Sequence, residues 1–312
     1  MLLSIVTTLY KSSPYVDEFY ARITKEARKI TDDYEIIFVD DGSPDDSLQK
    51  CIALHEQDAK VKVIELSRNF GHHKAIMTGL SHAQGEFVFL IDSDLEEEPE
   101  LLSEFWAELQ RDNDLDVVSA KQIETRKVSF TSNLLRRYFY KVFNHLSSIE
   151  IPNNEFVARL MKRPFLRALL AYKEKSIFLP GIWNSIGFNI HYIDAIKINN
   201  GQSSYSTLKK IILSTDAIVS FSSKPLVYLF SIGSFIFIIA SIFILYLVVN
   251  KLLFVDVHIG WTSLVASIWA VGGIVMLSIG ILGIYLGKVL DEVKQRPLTI
   301  VKKTYGGKNY EN

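Results

Sequence analysis

The stretch FVFLIDSDLEEEP, Phe87 to Pro99, decides how this chain is read. Five apolar residues in a row, Phe87 to Ile91, suit a strand buried on both faces, and the run stops at two aspartates one residue apart, Asp92 and Asp94. In open α/β sheets ligands gather at the carboxyl ends of the strands. There an Asp-x-Asp pair offers hard oxygens to a divalent cation, which would in turn hold a diphosphate. A plainer reading competes: Ser93, Asp94 and Pro99 open the next helix, and Glu96 to Glu98 lie where its dipole favours negative charge. Taken alone the two readings are evenly matched, because short acidic motifs recur by chance.

Outward from this stretch, strands and helices alternate. Leu2 to Leu9 reads as a first strand, followed by a helical pattern from near Pro14 to about Ile30. Glu35 to Val39 is a second strand that runs into Asp40-Asp41-Gly42-Ser43-Pro44. Asp41-Gly42 is a turn on any reading, and a carboxylate there can also accept hydrogen bonds from a ribose or a base edge. Val61 to Leu66 is a third strand, and Ser67 to His73 leads from it into a helix reaching about Ala83. Phe87 to Ile91 is the fourth strand and Asp116 to Ala120 the fifth. This alternation predicts an α/β fold with a mostly parallel sheet and helices on both faces. Arg68, just past a strand end, can reach a phosphate or pair with Asp92 or Asp94. His72 and His73 read as first-turn polar residues, since adjacent residues point apart and no third metal ligand of suitable spacing is visible.

Composition bounds the rest. A chain of 312 residues with formal net charge -1 holds one large domain plus an appendage, and nothing in it points to a nucleic-acid partner. The charge is uneven, with most acids before Asp116 and a Lys/Arg-rich segment from Lys121 to Arg167, so a negative site is expected beside a positive one. Cys51 stands alone, which excludes an internal disulfide and a cysteine metal cage and fits a reducing compartment. Leu2 to Leu9 lacks the basic flank and cleavage site of a signal peptide.

Two segments depart from soluble composition. Leu226 to Val249 carries no charged residue, and its roughly 24 residues would span about 36 Å as a helix, enough for a ~30 Å hydrocarbon core. Ile259 to Gly287 repeats the pattern. Lys209, Lys210 and Lys224 precede the first span, Lys288, Lys294, Arg296, Lys302 and Lys303 follow the second, and the connecting loop offers only Lys251. Both chain ends are therefore expected on the cytoplasmic side of the inner membrane. Gly272, Gly273, Gly280, Gly283 and Gly287 give the second span small faces for packing on the first span or on a neighbouring subunit. Thr131 to Leu146 is a basic amphipathic helix by pattern and Tyr205 to Phe221 a second candidate; both would seat the first domain against lipid headgroups. The expected division is 1–204 for the soluble domain, 205–224 for an interfacial linker, 225–288 for a two-helix transmembrane hairpin (about 226–249 and 259–287), and 289–312 for a cytoplasmic tail.

The order SIVTTLY, EIIFVDDGSPDDS, ELSRNFGHHKAIMTGL and FVFLIDSDLEEEP resembles the family 2 glycosyltransferases of the GT-A fold. More narrowly it resembles the bacterial polyprenyl-phosphate glycosyltransferases, relatives of dolichyl-phosphate mannose synthase. The likeness continues through ARLMKRPF, LPGIWNSIGF, GQSSYSTLKK and SIGILGIYLGKVLDEVKQRPLTIV, almost the whole chain. The resemblance implies that Thr8, Tyr10, Asp40, Asp41, Arg68, Asp92 and Ser93 face the donor nucleotide, with Asp40 and Asp41 at its uracil and ribose. It implies that Asp92 and Asp94 bind Mg²⁺ or Mn²⁺, and that Arg126 and the basic helix after it receive the lipid phosphate. Arg126, Arg136, Arg137, Arg159 and Ser203 are the acceptor-phosphate candidates, Arg126 also counting as catalytic. The implied reaction is inverting transfer of one sugar from a nucleotide-diphosphate sugar to polyprenyl phosphate, by a membrane enzyme expected to form homo-oligomers. A processive polysaccharide synthase and a non-catalytic nucleotide-sugar-binding subunit are the alternatives; no Gln-x-x-Arg-Trp sequence is present for the former. Two departures bear on the acceptor side. Ile198 to Tyr205 lacks the basic residues that relatives carry around Gly201, where Lys197, Lys209 or Lys210 would have to substitute, and Glu155 is displaced from the acidic position usual before Arg-Leu-Met.

Overall fold

The computed structural model describes residues 1–122, 155–175, 177–196, 198, 222, 224–253 and 260–306. The amphipathic segment Thr131 to Leu146, the segment Tyr205 to Phe221, and Arg126, Arg136, Arg137 and Ser203 lie outside the described residues. Two compact units emerge, one holding the described residues up to 198 together with those from Arg296 onward, the other the two long helices.

The first unit is built on one eight-stranded sheet. Its strands are β1 (Leu3–Leu9), β2 (Tyr34–Asp40), β3 (Val61–Leu66), β4 (Phe87–Leu90), β5 (Val117–Gln122), β6 (Glu155–Lys162), β7 (Ile190–Ala195) and β8 (Val301–Tyr305), in the order β7-β5-β6-β4-β1-β2-β3-β8. The four adjacent strands β4, β1, β2 and β3 run parallel, as the alternating sequence predicts. Beyond β4 the sheet turns mixed: β6 is antiparallel to β4 and β5, while β7 runs parallel to β5. Each of the first three parallel strands is separated from the next by a helix: α1 (Val16–Ile30), α2 (Ser47–Gln57) and α3 (His72–His82). α4 (Leu101–Arg111) follows β4, and α5 (Arg163–Ala171) and α6 (Leu179–Ser185) follow β6.

Burial explains why these segments pair. Every residue of β1 and β2 is buried, so each strand must be covered on both faces. On one face α1 supplies Phe19, Ile23 and Ala27, and α4 supplies Leu102, Phe105 and Leu109. Phe19 meets Phe38 and Phe89 meets Phe105 edge-on, each with ring centroids 6.0 Å apart. On the other face α3 lies close against β1 and β2. A Cβ on Gly79 would come within 2.5 Å of Val6 Cγ1 and 2.8 Å of Val39 Cγ2, so only glycine admits the helix at this distance.

β8 has no counterpart in the expectations, which leave 289–312 without an element. Its sequence, Val301-Lys302-Lys303-Thr304-Tyr305, shows no clean alternation and carries two lysines, the composition of a protected edge rather than of a buried strand. It pairs antiparallel with β3, so the chain beyond the last long helix returns to the first unit.

The second unit contains α7 (Lys224–Leu253, 30 residues) and α8 (Trp261–Val293, 33 residues). By length and composition Val271–Val293, with mean hydropathy 2.0, is apolar enough to cross a bilayer. Tyr285 Oη donates to Ser222 O at 2.6 Å within this unit. A Cβ on Gly272, Gly273, Gly280, Gly283 or Gly287 would meet no atom within 4 Å among the described residues.

Candidate active site

The parallel strands β1 to β4 end at the same edge of the sheet, and each is followed by a residue with positive φ: Lys11 (58°), Gly42 (62°), Gly71 (101°) and Leu95 (59°). Lys11 and Leu95 carry side chains in the left-handed region, at roughly 1–2 kcal/mol each. Backbone strain of this kind persists only where the surroundings over-determine it, and it collects at functional sites. Here the surroundings are a set of cross-links between the four loops.

Asp45 accepts from Ser43 Oγ (2.5 Å), Ser47 Oγ (2.6 Å) and Ser13 N (3.0 Å), and Ser43 Oγ in turn accepts from Lys11 N at 2.7 Å. The loops after β1 and β2 are thereby tied. Asp41 accepts from Phe70 N at 2.7 Å and from Gly71 N at 3.0 Å, one bond to each oxygen, which holds the loop after β3. Gly42 lies so near that loop that a Cβ would sit 2.6 Å from Asn69 N. Ser93 is buried, and its hydroxyl contacts Thr8 O at 2.8 Å and Ser12 Oγ at 3.1 Å, tying the β4 exit to β1.

Asp92 and Asp94 are only partly buried, on alternate residues from buried Ser93 and Leu95. Asp94 Oδ1 accepts from Glu96 N at 3.0 Å, an Asx turn. α4 begins at Leu101 behind Glu100, so neither Ser93 nor Asp94 caps it, and the helix-start reading of these residues does not hold. Glu97 is buried, and its carboxylate accepts from Val157 N at 3.0 Å and Ala158 N at 2.7 Å. The β4–β6 ladder stops at Leu90↔Arg159, and Glu97 satisfies the β6 amides just beyond it. This side chain pins the acidic loop to β6. Sequence reasoning sees in it only a helix-dipole acid.

His72 opens α3 with Nδ1 3.2 Å from Thr8 Oγ1 and Nε2 3.5 Å from Asp92 Oδ1. A carboxylate facing Nε2 favours the proton on that nitrogen, which leaves Nδ1 to accept from the Thr8 hydroxyl. His73 turns the other way, Nδ1 3.1 Å from Ile177 O and its ring 6.1 Å from Phe178, and burial pushes its pKa down to about 4. The divergence expected of adjacent residues is observed.

Asp40 is buried at the end of β2, accepts from Ser43 N at 3.2 Å and has a pKa raised to about 6, chiefly by desolvation. Its neighbour Asp41 is also raised by burial, against the opposing pull of the Phe70 and Gly71 amides. Tyr10 is 50% exposed beside them. Arg68 is exposed, its guanidinium over the Phe70 ring at 4.3 Å and Nη1 donating to Asn69 O at 3.2 Å. No ion pair to Asp92 or Asp94 is formed by Arg68 among the described residues. Arg159 differs from the surface cation the sequence leads one to expect. It is fully buried on β6, donating to Phe156 O (2.9 Å), Val157 O (3.1 Å) and Glu155 Oε1 (3.3 Å), with Trp183 against it.

The site thus gathers Thr8, Tyr10, Asp40, Asp41, Arg68, His72, Asp92, Ser93 and Asp94 at one sheet edge. The model of glycosyl transferase family 2 matches residues 4–170, just over half of the chain, including these residues. The chain belongs to glycosyl transferase family 2. This family 2 enzyme is 44% identical to a protein of Mycobacterium tuberculosis named "Putative glycosyltransferases", over 98% of this chain and 89% of that one. It is 34% identical to the "Uncharacterized glycosyltransferase YkcC" of Bacillus subtilis, over 98% and 95% of the two chains. The SfII prophage-derived bactoprenol glucosyl transferase of Shigella flexneri is 29% identical over 98% of this chain and 99% of its own.

Proposed function

We propose that this glycosyltransferase moves a single sugar from a nucleoside-diphosphate sugar, a UDP-sugar by preference, to a polyprenyl phosphate at the cytoplasmic membrane face. One observation carries the acceptor: the likeness to a bactoprenol glucosyl transferase runs the full length of both chains, the two long apolar helices included. A processive synthase is disfavoured by the same extent of match.

On this reading Asp40, Tyr10, Thr8 and Arg68 receive the nucleotide, and Asp41 and Ser93 act through the backbone, holding the loops that present the others. Asp92 and Asp94 fit Mg²⁺ or Mn²⁺ by donor chemistry, being hard carboxylates, partly buried at a strand end. No group of three or more His, Cys, Asp or Glu able to hold a metal exists among the described residues, and Asp92 and Asp94 are the pair that would hold such an ion. When bound, such an ion supplies Lewis-acid stabilisation of the departing diphosphate. His72 faces the Asp92 carboxylate, with Nε2 3.5 Å from Oδ1. The acceptor phosphate oxygen forms the new bond to the anomeric carbon as the bond to the nucleoside diphosphate breaks. With a second pKa near ~6, the acceptor is already a dianion at neutral pH, and no strong general base is required. Arg126, Arg136 and Arg137 remain the cations proposed for it, whereas Arg159 serves from the interior, as a prop under β6.

Connectivity supports the proposed membrane placement. β8 and β3 pair in one sheet, so a chain that crosses a bilayer between them would have to return to the same compartment. That requirement supports two spans, α7 and α8, and a first unit on one side of the bilayer. Membranes containing the wild type should transfer radiolabelled sugar from a UDP-sugar to polyprenyl phosphate. The Asp94→Asn variant should lose on the order of 10²-fold or more; undiminished turnover would remove the metal assignment.

A further inference from the structure

β8 meets the sheet at β3, and several of its contacts converge on the donor end. Ser67, the first residue past β3, donates its amide to Ile300 O at 2.9 Å. Thr299 Oγ1 lies 2.7 Å from Thr78 Oγ1, and Thr78 also donates to Lys74 O at 2.9 Å. The Thr78 hydroxyl has one proton, so Thr299 is the donor of the pair. This bond fastens the strap to α3, the helix that begins with His72. Lys302 Nζ donates to Glu65 Oε1 at 2.5 Å, and Tyr305 Oη donates to Glu65 Oε2 at 3.3 Å. Glu65 is the register partner of Asp40.

An ordinary edge cover needs only the backbone ladder between Val63–Leu66 and Val301–Tyr305. The side-chain bonds from Thr299 to α3 and from Lys302 to Glu65 add nothing to that ladder. They act on the loop that carries Arg68, on the middle of the helix that His72 opens, and on the carboxylate paired in register with Asp40. We propose that Thr299 to Lys302 are positioning residues of the donor site: they fix the Ser67–Gly71 loop and α3 relative to β3 and draw the Glu65 carboxylate away from Asp40. Donor affinity in this enzyme then depends on a strap encoded after its last long helix, outside the family-matched residues 4–170. The inference rests on the donor-site reading given above.

The test uses the full chain purified in detergent, with UDP titrated calorimetrically and transfer kinetics run in parallel. Thr299→Val and Lys302→Met should each weaken UDP binding roughly threefold, and the double variant roughly tenfold, as expected for loss of one and two modest polar contacts. Lys302→Arg should restore wild-type affinity. Lys303→Met is the control, because Lys303 Nζ sits over the Tyr305 ring at 4.5 Å and not on Glu65; its affinity should not change. Donor KM should rise with UDP Kd, while kcat at saturating donor and KM for polyprenyl phosphate stay at wild-type values. Unchanged UDP affinity in the double variant overturns the proposal, as does a fall in kcat with donor affinity intact. Should Lys302→Met fail to fold, Thr299→Val decides alone, since it removes one hydroxyl and keeps the ladder. A wild type that binds neither UDP nor another nucleoside diphosphate overturns the donor-site reading itself.

Discussion

Asp40 shows how single residues trade stability for function here. Its carboxyl is raised from 3.8 to about 6 by burial, so the folded protein holds a proton that the unfolded chain releases at lower pH. Native Asp40 therefore binds more protons between these values, and stability falls as pH rises through that window, by an amount on the order of 3 kcal/mol. Asp40→Asn keeps the acceptor for Ser43 N and removes the buried charge. Its melting temperature should exceed that of the wild type at pH 8 by more than at pH 5, while UDP affinity at pH 8 drops. Equal melting differences at the two pH values would show that Asp40 is not the titrating group. Asp41, adjacent in sequence, is spent on two backbone amides and should respond to Asn substitution mainly through loop order. The sequence marks Asp40, Asp41, Asp92 and Asp94 as a strand-end set, but it does not separate the carboxylates that hold loops from those left to meet a ligand. That sorting depends on which amides each side chain reaches after folding. Arg159 illustrates the same limit, since nothing in ARLMKRPF distinguishes an inward guanidinium from an exposed one.

Elements were legible in proportion to their periodicity. β4 is a continuous apolar run, β1, β2 and β3 are apolar runs broken by a few polar residues, all four lead into turn residues, and the structure places them within a residue or two of expectation. β8 was not legible, because an edge strand with two lysines and a partner more than two hundred residues away in sequence has no local signature. Glu97 was missed for a related reason: its partners, the amides of Val157 and Ala158, belong to a strand sixty residues on. Removing this acceptor leaves two buried donors unsatisfied, at roughly 1–3 kcal/mol each. Glu97→Ala should lower the melting temperature in detergent by several degrees, and added Mg²⁺ or Mn²⁺ should stabilise the variant less than the wild type, because the loop bearing Asp92 and Asp94 loses its anchor. A variant that melts like the wild type would show that β6 is held by other contacts.

At the scale of the whole molecule, the pairing of β8 with β3 constrains the path of the chain more tightly than hydropathy does. The apolar stretches and their lysine flanks underlie the two crossings proposed above, and a sheet that contains residues from both sides of α7 and α8 is compatible with an even number. A reporter fused after Asn312 should read as cytoplasmic, like one at Met1; opposite readings would break either the topology or the β8 pairing. The polar strand-end site and the full-length likeness to a bactoprenol glucosyl transferase support the reaction proposed above, a sugar delivered singly to a membrane-held phosphate. Its most direct test is chromatography of the lipid products formed by the purified full chain from polyprenyl phosphate and a panel of labelled nucleotide sugars. One product is expected, a polyprenyl phosphate bearing a single sugar, formed from one preferred donor. A polymer, or no labelled lipid with any donor, would contradict it.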